Sequence, residues 1–305
     1  DPAMSVRSTP LWRQQAERGS PLLMRALTRF ALRFGRGAAR AFLPPICAYF
    51  IVFSGPARRA SRDYLARALG RPSRLSDIYR HYMCFAPTIL DRVFWFSGRV
   101  DDYVLDMHGA EHVRAALRAG RGCLLLGAHF GSFELVRVLA HELGDAGIDV
   151  LMHTRNARKI GAAIRAVDEG VDVGVIALGE PSTMLKVRDS LHAGRGVGLL
   201  ADRSIQGADL VACEFLGSTA GFERGAFKLA SALDVPILLF RSTWQGGRKY
   251  LVDFQPLPLA RGADGRIEID AGVRAYAKWL EHACRIAPYN WFNFYDFWRL
   301  PDGEN

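Results

Sequence analysis

The chain has 305 residues, half of them apolar, which is enough for a packed core and excludes a disordered protein. Its net charge is +9, but residues 1–74 carry fourteen arginines against three acidic residues, and the remainder is slightly acidic. A protein that binds nucleic acid over its whole surface would not divide its charge in this way.

A basic amphipathic helix is predicted near the N-terminus. Its arginines recur every three or four residues, so they form one stripe on a helix: Arg25, Arg29, Arg33, Arg36 and Arg40. Leucine and phenylalanine occupy the other sides, and this combination is typical of a helix that lies in a membrane interface. The alternative is an ordinary amphipathic helix that packs on a catalytic domain and exposes its arginines to solvent.

An uncharged segment follows at 41–57 and contains Pro44 and Pro45. A helix that spans a bilayer needs about 20 apolar residues, and the two prolines interrupt this one. We therefore interpret the segment as a broken apolar hairpin that dips into one leaflet. Arginines flank it on both sides, where the phosphates of anionic lipids would neutralise them. A single uncleaved membrane anchor is the alternative.

The rest of the chain predicts an α/β fold. Residues 58–97 show apolar recurrence at three and four positions, which indicates helices. From about residue 104, short apolar strands alternate with amphipathic helices, so we expect a mostly parallel central sheet with helices on both faces. We expect an N-terminal helical, membrane-associating region at 1–100 and an α/β catalytic domain at 101–305.

The segment GAHFGSFE, residues 127–134, carries the main candidate site. The strand GCLLLGAHF delivers His129 to the edge of the sheet where open α/β sheets bind ligands. Ser132 can cap the next helix, whose first turn carries Glu134, and that carboxylate can accept a hydrogen bond from His129. Gly131 allows close approach of the backbone, and free amides at the helix start could hold an oxyanion. Together these groups could deprotonate a hydroxyl for attack on an acyl group.

The H-x₄-E spacing alone also fits a structural histidine. The chain contains none of the motifs of a serine hydrolase, a P-loop, a zinc protease or a dinucleotide-binding protein. The remaining histidines form no ligand constellation, and the five cysteines are scattered without a CxxC pair. We therefore expect no metal site.

GAHFGSFE resembles the H-x₄-D/E block of the lysophospholipid acyltransferase superfamily, in the HFGxxE form of its bacterial lipid A lauroyl/myristoyl acyltransferase branch. Three later segments resemble further blocks of that branch in the same order: HTRNARK at 153–159, the segment 184–207 and the segment 213–240. The resemblance covers about residues 105–300.

Two segments resemble a sub-branch of predicted acyltransferases of aryl polyene-type pathways more than the lipid A enzymes. They are ERGS at 17–20 and PYNWFNFYDFW at 288–298. Aromatic residues of the second segment fall at helical spacing, which predicts a core-facing helix stripe: Trp291, Phe294, Tyr295 and Trp298. Asn290, Asn293 and Asp296 would form a second face that could add hydrogen bonds to the site. Aromatic side chains at a membrane interface are another option.

The resemblance implies an enzyme that moves a fatty or polyene acyl group from a thioester to a hydroxyl. The donor would be acyl carrier protein or coenzyme A, and the acceptor a lipid or glycolipid. No metal, nucleotide cofactor or acyl-enzyme is implied. His129 would be the general base and Glu134 its partner, with Gly131 and Ser132 beside them. Further residues would position polar head groups or the donor: Arg155, Asp202, Arg203 and Arg224.

The same resemblance implies a location on the cytoplasmic face of a bacterial inner membrane, held there by the N-terminal arginines. A secondary acyltransferase of lipid A itself is the alternative function. A basic protein that binds membranes or nucleic acid without catalysis is a different class, but the aromatic residues are not interleaved with the basic ones, as nucleic-acid binding would favour.

Overall fold

The computed structural model describes residues 21–143, 147–153, 174–203, 209–263 and 265–298. Its helices in these ranges are α1 Pro21–Arg40, α2 Leu43–Phe53, α3 Gly55–Leu69, α4 Leu75–Trp95, α5 Ala110–Arg118, α6 Glu134–Val138, α7 Ala140–Leu143, α8 Thr183–His192, α9 Gly225–Leu233 and α10 Ile269–Ile286. Its strands are β1 Val104–His108, β2 Cys123–Gly127, β3 Ile148–His153, β4 Val175–Leu178, β5 Gly196–Leu200, β6 Leu210–Phe215, β7 Ser218–Glu223, β8 Ile237–Gly246 and β9 Lys249–Pro256.

The predicted mostly parallel sheet is confirmed. Seven strands form it in the order β1-β9-β8-β2-β5-β3-β4, and only the β8–β9 pair is antiparallel. Strand β2 lies in the middle, and all five of its residues are buried. Leu124 and Leu126 belong to one apolar cluster, whereas Cys123 and Leu125 belong to another. Because successive side chains of a strand point to opposite faces, the sheet is covered on both faces, as the near-continuous apolar sequence of β2 requires.

Different helices cover the two faces, except that α4 contributes to both. The first cluster combines the sheet with residues of α2, α3, α4 and α10, and the second combines it with residues of α1, α5, α6 and the C-terminal end of α4. The N-terminal helices thus share apolar contacts with the sheet. The division of the chain at residue 100 stays a prediction.

Helix α1 forms as the arginine periodicity predicts, but Arg36 is not exposed like Arg29 and Arg33. Gly35 has a φ of 85° and kinks the helix, and Arg36 is buried. Its guanidinium donates to both carboxylate oxygens of Asp91 in α4, at 2.5 and 2.9 Å. The hydroxyls of Tyr103 and Tyr250 donate to the same carboxylate. Arg36 therefore joins α1 to α4 and the sheet instead of facing solvent, because a buried carboxylate needs a paired charge.

The predicted break at Pro44 and Pro45 is wrong. Both prolines lie in the first turn of α2, where a helix has no use for their missing N–H groups and their fixed φ favours helix entry. The helix then continues to Phe53. Among the residues that the structure describes, no helix is long and apolar enough to cross a membrane.

The local structure differs from the sequence-based expectations in three places. The segment SFELVRVLAHELG, 132–144, whose apolar spacing predicts one helix, is divided into α6 and α7. The β6–β7 hairpin was not predicted from the sequence. The C-terminal segment 288–298 is not a helix, so the predicted helical stripe is wrong: its backbone instead pairs with the loop after β2 through an antiparallel bridge between Phe130 and Trp291. The segment RKIGAAIRAVDEG, 158–170, for which the sequence predicts a helix, lies outside the described residues.

Candidate active site

Two parallel neighbouring strands bring the key side chains together. Strands β2 and β5 pair over their full length, from Cys123 opposite Gly196 to Gly127 opposite Leu200. His129 follows β2 by two residues, and Asp202 follows β5 by two residues. Because the carboxyl ends of parallel strands meet at one edge, the two side chains arrive at the same place although they are 73 positions apart in sequence.

His129 and Asp202 form a hydrogen-bonded pair. Nδ1 of His129 lies 2.8 Å from Oδ1 of Asp202, and the backbone N–H of His129 donates to Oδ2 at 3.0 Å. The indole Nε1–H of Trp291 donates to the same Oδ2 at 2.8 Å. An indole N–H and a backbone N–H can only donate, so Asp202 serves these groups as an acceptor. The side chain of Asp202 is 2 % exposed and that of His129 is 29 % exposed, so the histidine lies between the buried carboxylate and solvent.

The charges of the pair are set by its surroundings. Burial would raise the pKa of Asp202, but the electrostatic interaction and hydrogen bond with His129 and the charge of Arg203 hold that pKa at about 2. Burial lowers the pKa of His129, and the charges of Arg203 and Arg92 lower it further, against the opposing effect of Asp202. At neutral pH the imidazole is therefore neutral, with its proton on Nδ1 and a lone pair on Nε2.

Glu134 is not the partner of His129, contrary to the prediction. One of its oxygens accepts a hydrogen bond from Oγ of Ser132 at 2.9 Å, and the other lies 2.9 Å from Nη1 of Arg92 in α4. Asp202 already occupies the histidine nitrogen, and the guanidinium of Arg92 attracts the Glu134 carboxylate. The predicted cap by Ser132 is not formed either: its hydroxyl donates to Glu134, and no backbone amide of the described residues donates to its Oγ.

Gly131 allows the predicted close approach of the backbone. Its φ is +60°, and a Cβ atom at this position would lie 1.9 Å from the carbonyl oxygen of Ser242 in β8. Its amide donates to the carbonyl of Asn290 at 2.8 Å, and the amide of Ser132 donates to Oγ of Ser242 at 2.7 Å. These two amides are engaged, so they do not serve as the expected free oxyanion donors.

The predicted arginines differ in where they lie. Arg203 is beside the pair: its Nη2 is 3.5 Å from the carbonyl of Phe292, and its guanidinium is 5.5 Å from the ring centroid of Tyr295. Arg224 forms ion pairs with Asp209 and Asp270. These pairs connect the starts of β6, α9 and α10, and no contact of Arg224 with the His129–Asp202 pair is found in the described residues. Arg155 lies outside the described residues.

Two residues of this site were missed in the sequence. Trp291 was assigned to a helix stripe, and Arg92 lies in a helix outside the expected catalytic domain. The sequence shows that segment 288–298 is rich in aromatic residues. No pattern within the segment predicts that it pairs with the loop that carries His129. Across the described ranges, no group of three or more His, Cys, Asp or Glu side chains is arranged to hold a metal ion.

A mostly parallel sheet that presents a neutral histidine, oriented by a buried carboxylate, at the carboxyl end of its strands defines an α/β protein with a histidine–carboxylate pair at its ligand-binding edge. The model of the bacterial lipid A biosynthesis acyltransferase family matches residues 85–300, well over half of the chain. The chain therefore belongs to this family and is an acyltransferase enzyme of lipid biosynthesis. No curated protein sequence matches it.

We expect Gly131→Ala to destabilise the protein by about 2–5 kcal/mol, because the new Cβ requires both a strained φ and a displacement of the β8 backbone. Gly37→Ala is the matched control, since a Cβ there meets nothing within 4 Å. Chemical denaturation of both variants measures the difference. Equal free energies of unfolding would contradict the close approach of these two backbones.

Proposed function

We propose that the enzyme transfers an acyl group from a thioester to a hydroxyl of a lipid or glycolipid, with His129 as general base and Asp202 as its orienting carboxylate. The observation that carries the proposal is the 2.8 Å hydrogen bond between Nδ1 of His129 and Oδ1 of Asp202. That bond commits the proton to Nδ1 and leaves the Nε2 lone pair available to a substrate.

The proposed reaction needs no covalent intermediate on the protein. Nε2 of His129 takes the proton from the acceptor hydroxyl while its oxygen forms a bond to the thioester carbonyl carbon. The tetrahedral intermediate collapses with cleavage of the carbon–sulfur bond, and the departing thiolate takes the proton from Nε2. A thioester is already an activated acyl donor, so the proposed chemistry calls for no metal and no nucleotide cofactor.

Positive charge near His129 supports stabilisation of that intermediate. Arg92 and Arg203 both lower the pKa of His129, which means that the imidazole feels the field of each guanidinium. We propose that this field stabilises the oxyanion of the tetrahedral intermediate, because preorganised charge near developing negative charge lowers a barrier effectively. Glu134 would then hold Arg92 in place through its 2.9 Å ion pair. Arg155 stays a predicted contact to the head group or the donor.

Membership of the family supports a lipid acceptor in general. The identities of the thioester carrier and of the acceptor are proposals. We propose acyl carrier protein or coenzyme A as the thioester carrier. The C-terminal segment 288–298 supports an acceptor of the aryl polyene-type pathways, and lipid A is the alternative acceptor within the family.

The surface of α1, α2 and their connection supports peripheral attachment to the cytoplasmic face of the bacterial inner membrane. Of the eleven large apolar side chains exposed in the described residues, six lie between positions 32 and 53. They are Leu32, Phe34, Phe42, Tyr49, Val52 and Phe53. Arg29 and Arg33 of α1 and Arg59 of α3 are also exposed. Concentrated apolar surface with neighbouring arginines favours insertion into the interface of an anionic membrane.

We expect His129→Ala to lower kcat about 10²–10⁴-fold, the usual contribution of a general base. Asp202→Asn should lower kcat by as much as about 10⁴-fold, because an amide can donate to Nδ1 and so favours the wrong tautomer. Transfer of radiolabelled acyl groups from an acyl carrier protein thioester into extracted bacterial lipids measures both rates.

Glu134→Gln is the matched carboxylate control for Asp202→Asn. Because Glu134 contacts Arg92 and Ser132 and not His129, the control should keep more activity than Asp202→Asn. A Glu134→Gln loss larger than the Asp202→Asn loss would restore Glu134 as the orienting carboxylate. An undiminished rate in His129→Ala would rule out the proposed base.

We expect Val52→Asp and Phe53→Asp each to weaken binding to phosphatidylglycerol vesicles about tenfold or more, since each removes an apolar side chain from the membrane-facing surface. Vesicle sedimentation measures the partition coefficient. Ile286→Asp is the control, because Ile286 is comparably exposed, at 57 %, but lies at the end of α10. Equal weakening by all three substitutions would contradict attachment through α2.

A further inference from the structure

The indole of Trp291 is buried against Asp202. Its side chain is 1 % exposed. Its Nε1–H donates to Oδ2 of Asp202 at 2.8 Å, and the backbone N–H of His129 donates to the same oxygen at 3.0 Å. Oδ1 of Asp202 is then free to face Nδ1 of His129. The orientation of the carboxylate therefore depends on two donors to one oxygen, and only one of them is a side chain.

The backbone of Trp291 is held to the loop that carries His129. The amide of Phe292 donates to the carbonyl of His129 at 2.7 Å, and the amide of Gly131 donates to the carbonyl of Asn290 at 2.8 Å. These two bonds form the antiparallel bridge between Phe130 and Trp291. The segment that carries the indole is thus joined to the histidine loop by backbone hydrogen bonds on both sides of the bridge.

A buried histidine holds Trp291 from the opposite side. Nε2 of His81 in α4 lies 2.8 Å from the carbonyl oxygen of Trp291, and Nδ1 lies 2.8 Å from Oγ of Ser61 in α3. A carbonyl oxygen can only accept, so Nε2 carries the proton and Nδ1 accepts from the serine hydroxyl. Burial lowers the pKa of His81 to about 4, so the ring keeps this single tautomer at neutral pH.

Aromatic packing fixes the plane of the indole. The ring of Tyr64 meets it edge-on at 4.9 Å between centroids, Phe297 at 5.0 Å and Phe215 at 5.4 Å. Each contact is a T-shaped arrangement of the kind that aromatic pairs prefer. The Nε1–H bond vector is therefore set by α3, by the β6–β7 hairpin and by the C-terminal segment together.

We propose that Trp291 is a positioning residue of the acyl transfer reaction: its indole N–H fixes the Asp202 carboxylate so that His129 keeps its proton on Nδ1. Without this donor, the carboxylate retains only the backbone N–H on Oδ2 and can rotate away from Nδ1. The Nε2–H tautomer of His129, which has no lone pair for the substrate hydroxyl, then becomes populated. This inference rests on the proposed function of His129.

Trp291→Phe tests the inference, because it keeps an aromatic ring in the core and removes the N–H. Trp298→Phe is the control: Trp298 lies in the same segment, and its indole N–H donates to the carbonyl of Phe215 instead of Asp202. We expect Trp291→Phe to lower kcat about tenfold or more with KM within about twofold, whereas Trp298→Phe keeps kcat within about twofold.

The tautomer of His129 is measured independently of activity, from the ¹⁵N chemical shifts of its imidazole at pH 7.5. We expect a single Nδ1–H form in the parent protein and in Trp298→Phe, and a mixture of tautomers in Trp291→Phe. If Trp291→Phe does not fold, β-(3-benzothienyl)alanine is placed at position 291, since it replaces the N–H with sulfur at nearly the same shape. The same mixture is expected there.

An unchanged Nδ1–H form in the Trp291 variants overturns the inference, whether or not kcat falls, because a fall without a tautomer change is a general packing effect. The activity of His129→Ala tests the proposed function separately. If that variant keeps full activity while the tautomer shifts in Trp291→Phe, the proposed base is wrong and the positioning of Asp202 by Trp291 stands.

Discussion

A buried carboxylate must be satisfied, and much of this structure is arranged around the one at Asp202. It is 2 % exposed, and three N–H groups from two separate parts of the chain supply its hydrogen bonds. An ionised carboxylate without such donors would cost several kcal/mol in this environment. The same bonds that make its burial tolerable also fix the orientation of His129, so stability and reactivity share one set of contacts.

The donors reach Asp202 only because distant segments are held in register. The pairing of β2 with β5 places His129 and Asp202 at one edge of the sheet, and the bridge between Phe130 and Trp291 brings in the C-terminal segment. Helices α3 and α4 support that segment through the Ser61–His81–Trp291 chain of hydrogen bonds. The N-terminal helices thus contribute to the geometry of the site as well as to the apolar surface of α1 and α2.

The sequence was most informative for features that depend on a few consecutive residues. An apolar run and its flanking glycines located β2 and the close backbone approach at Gly131, because buried parallel strands and tight turns impose composition on a few consecutive residues. Glu134 stood at a suitable spacing from His129, yet Arg92 on α4 draws it away. Asp202 was expected to position a head group or the donor and not to pair with His129, since that pairing depends on which strands are neighbours.

In the C-terminal segment 288–298, a local sequence pattern predicted the wrong structure. Helical spacing of Trp291 and Trp298 was misleading, because these side chains face partners from α3 and the β6–β7 hairpin in an irregular segment and do not share one helix face. The effect of Pro44 and Pro45 was mispredicted for a related reason. Proline disrupts a helix in its interior but is favoured in its first turn, and which case applies here depends on where α1 ends.

The pH dependence of kcat/KM tests most directly whether His129 acts as the base. Burial and the charges of Arg203 and Arg92 lower its pKa, so the neutral, active form should persist below the ordinary histidine value of about 6.5. We predict that kcat/KM is constant through neutral pH and falls only when the pH drops through a single pKa below about 6.5. A profile that loses activity through a pKa at or above that value would contradict it.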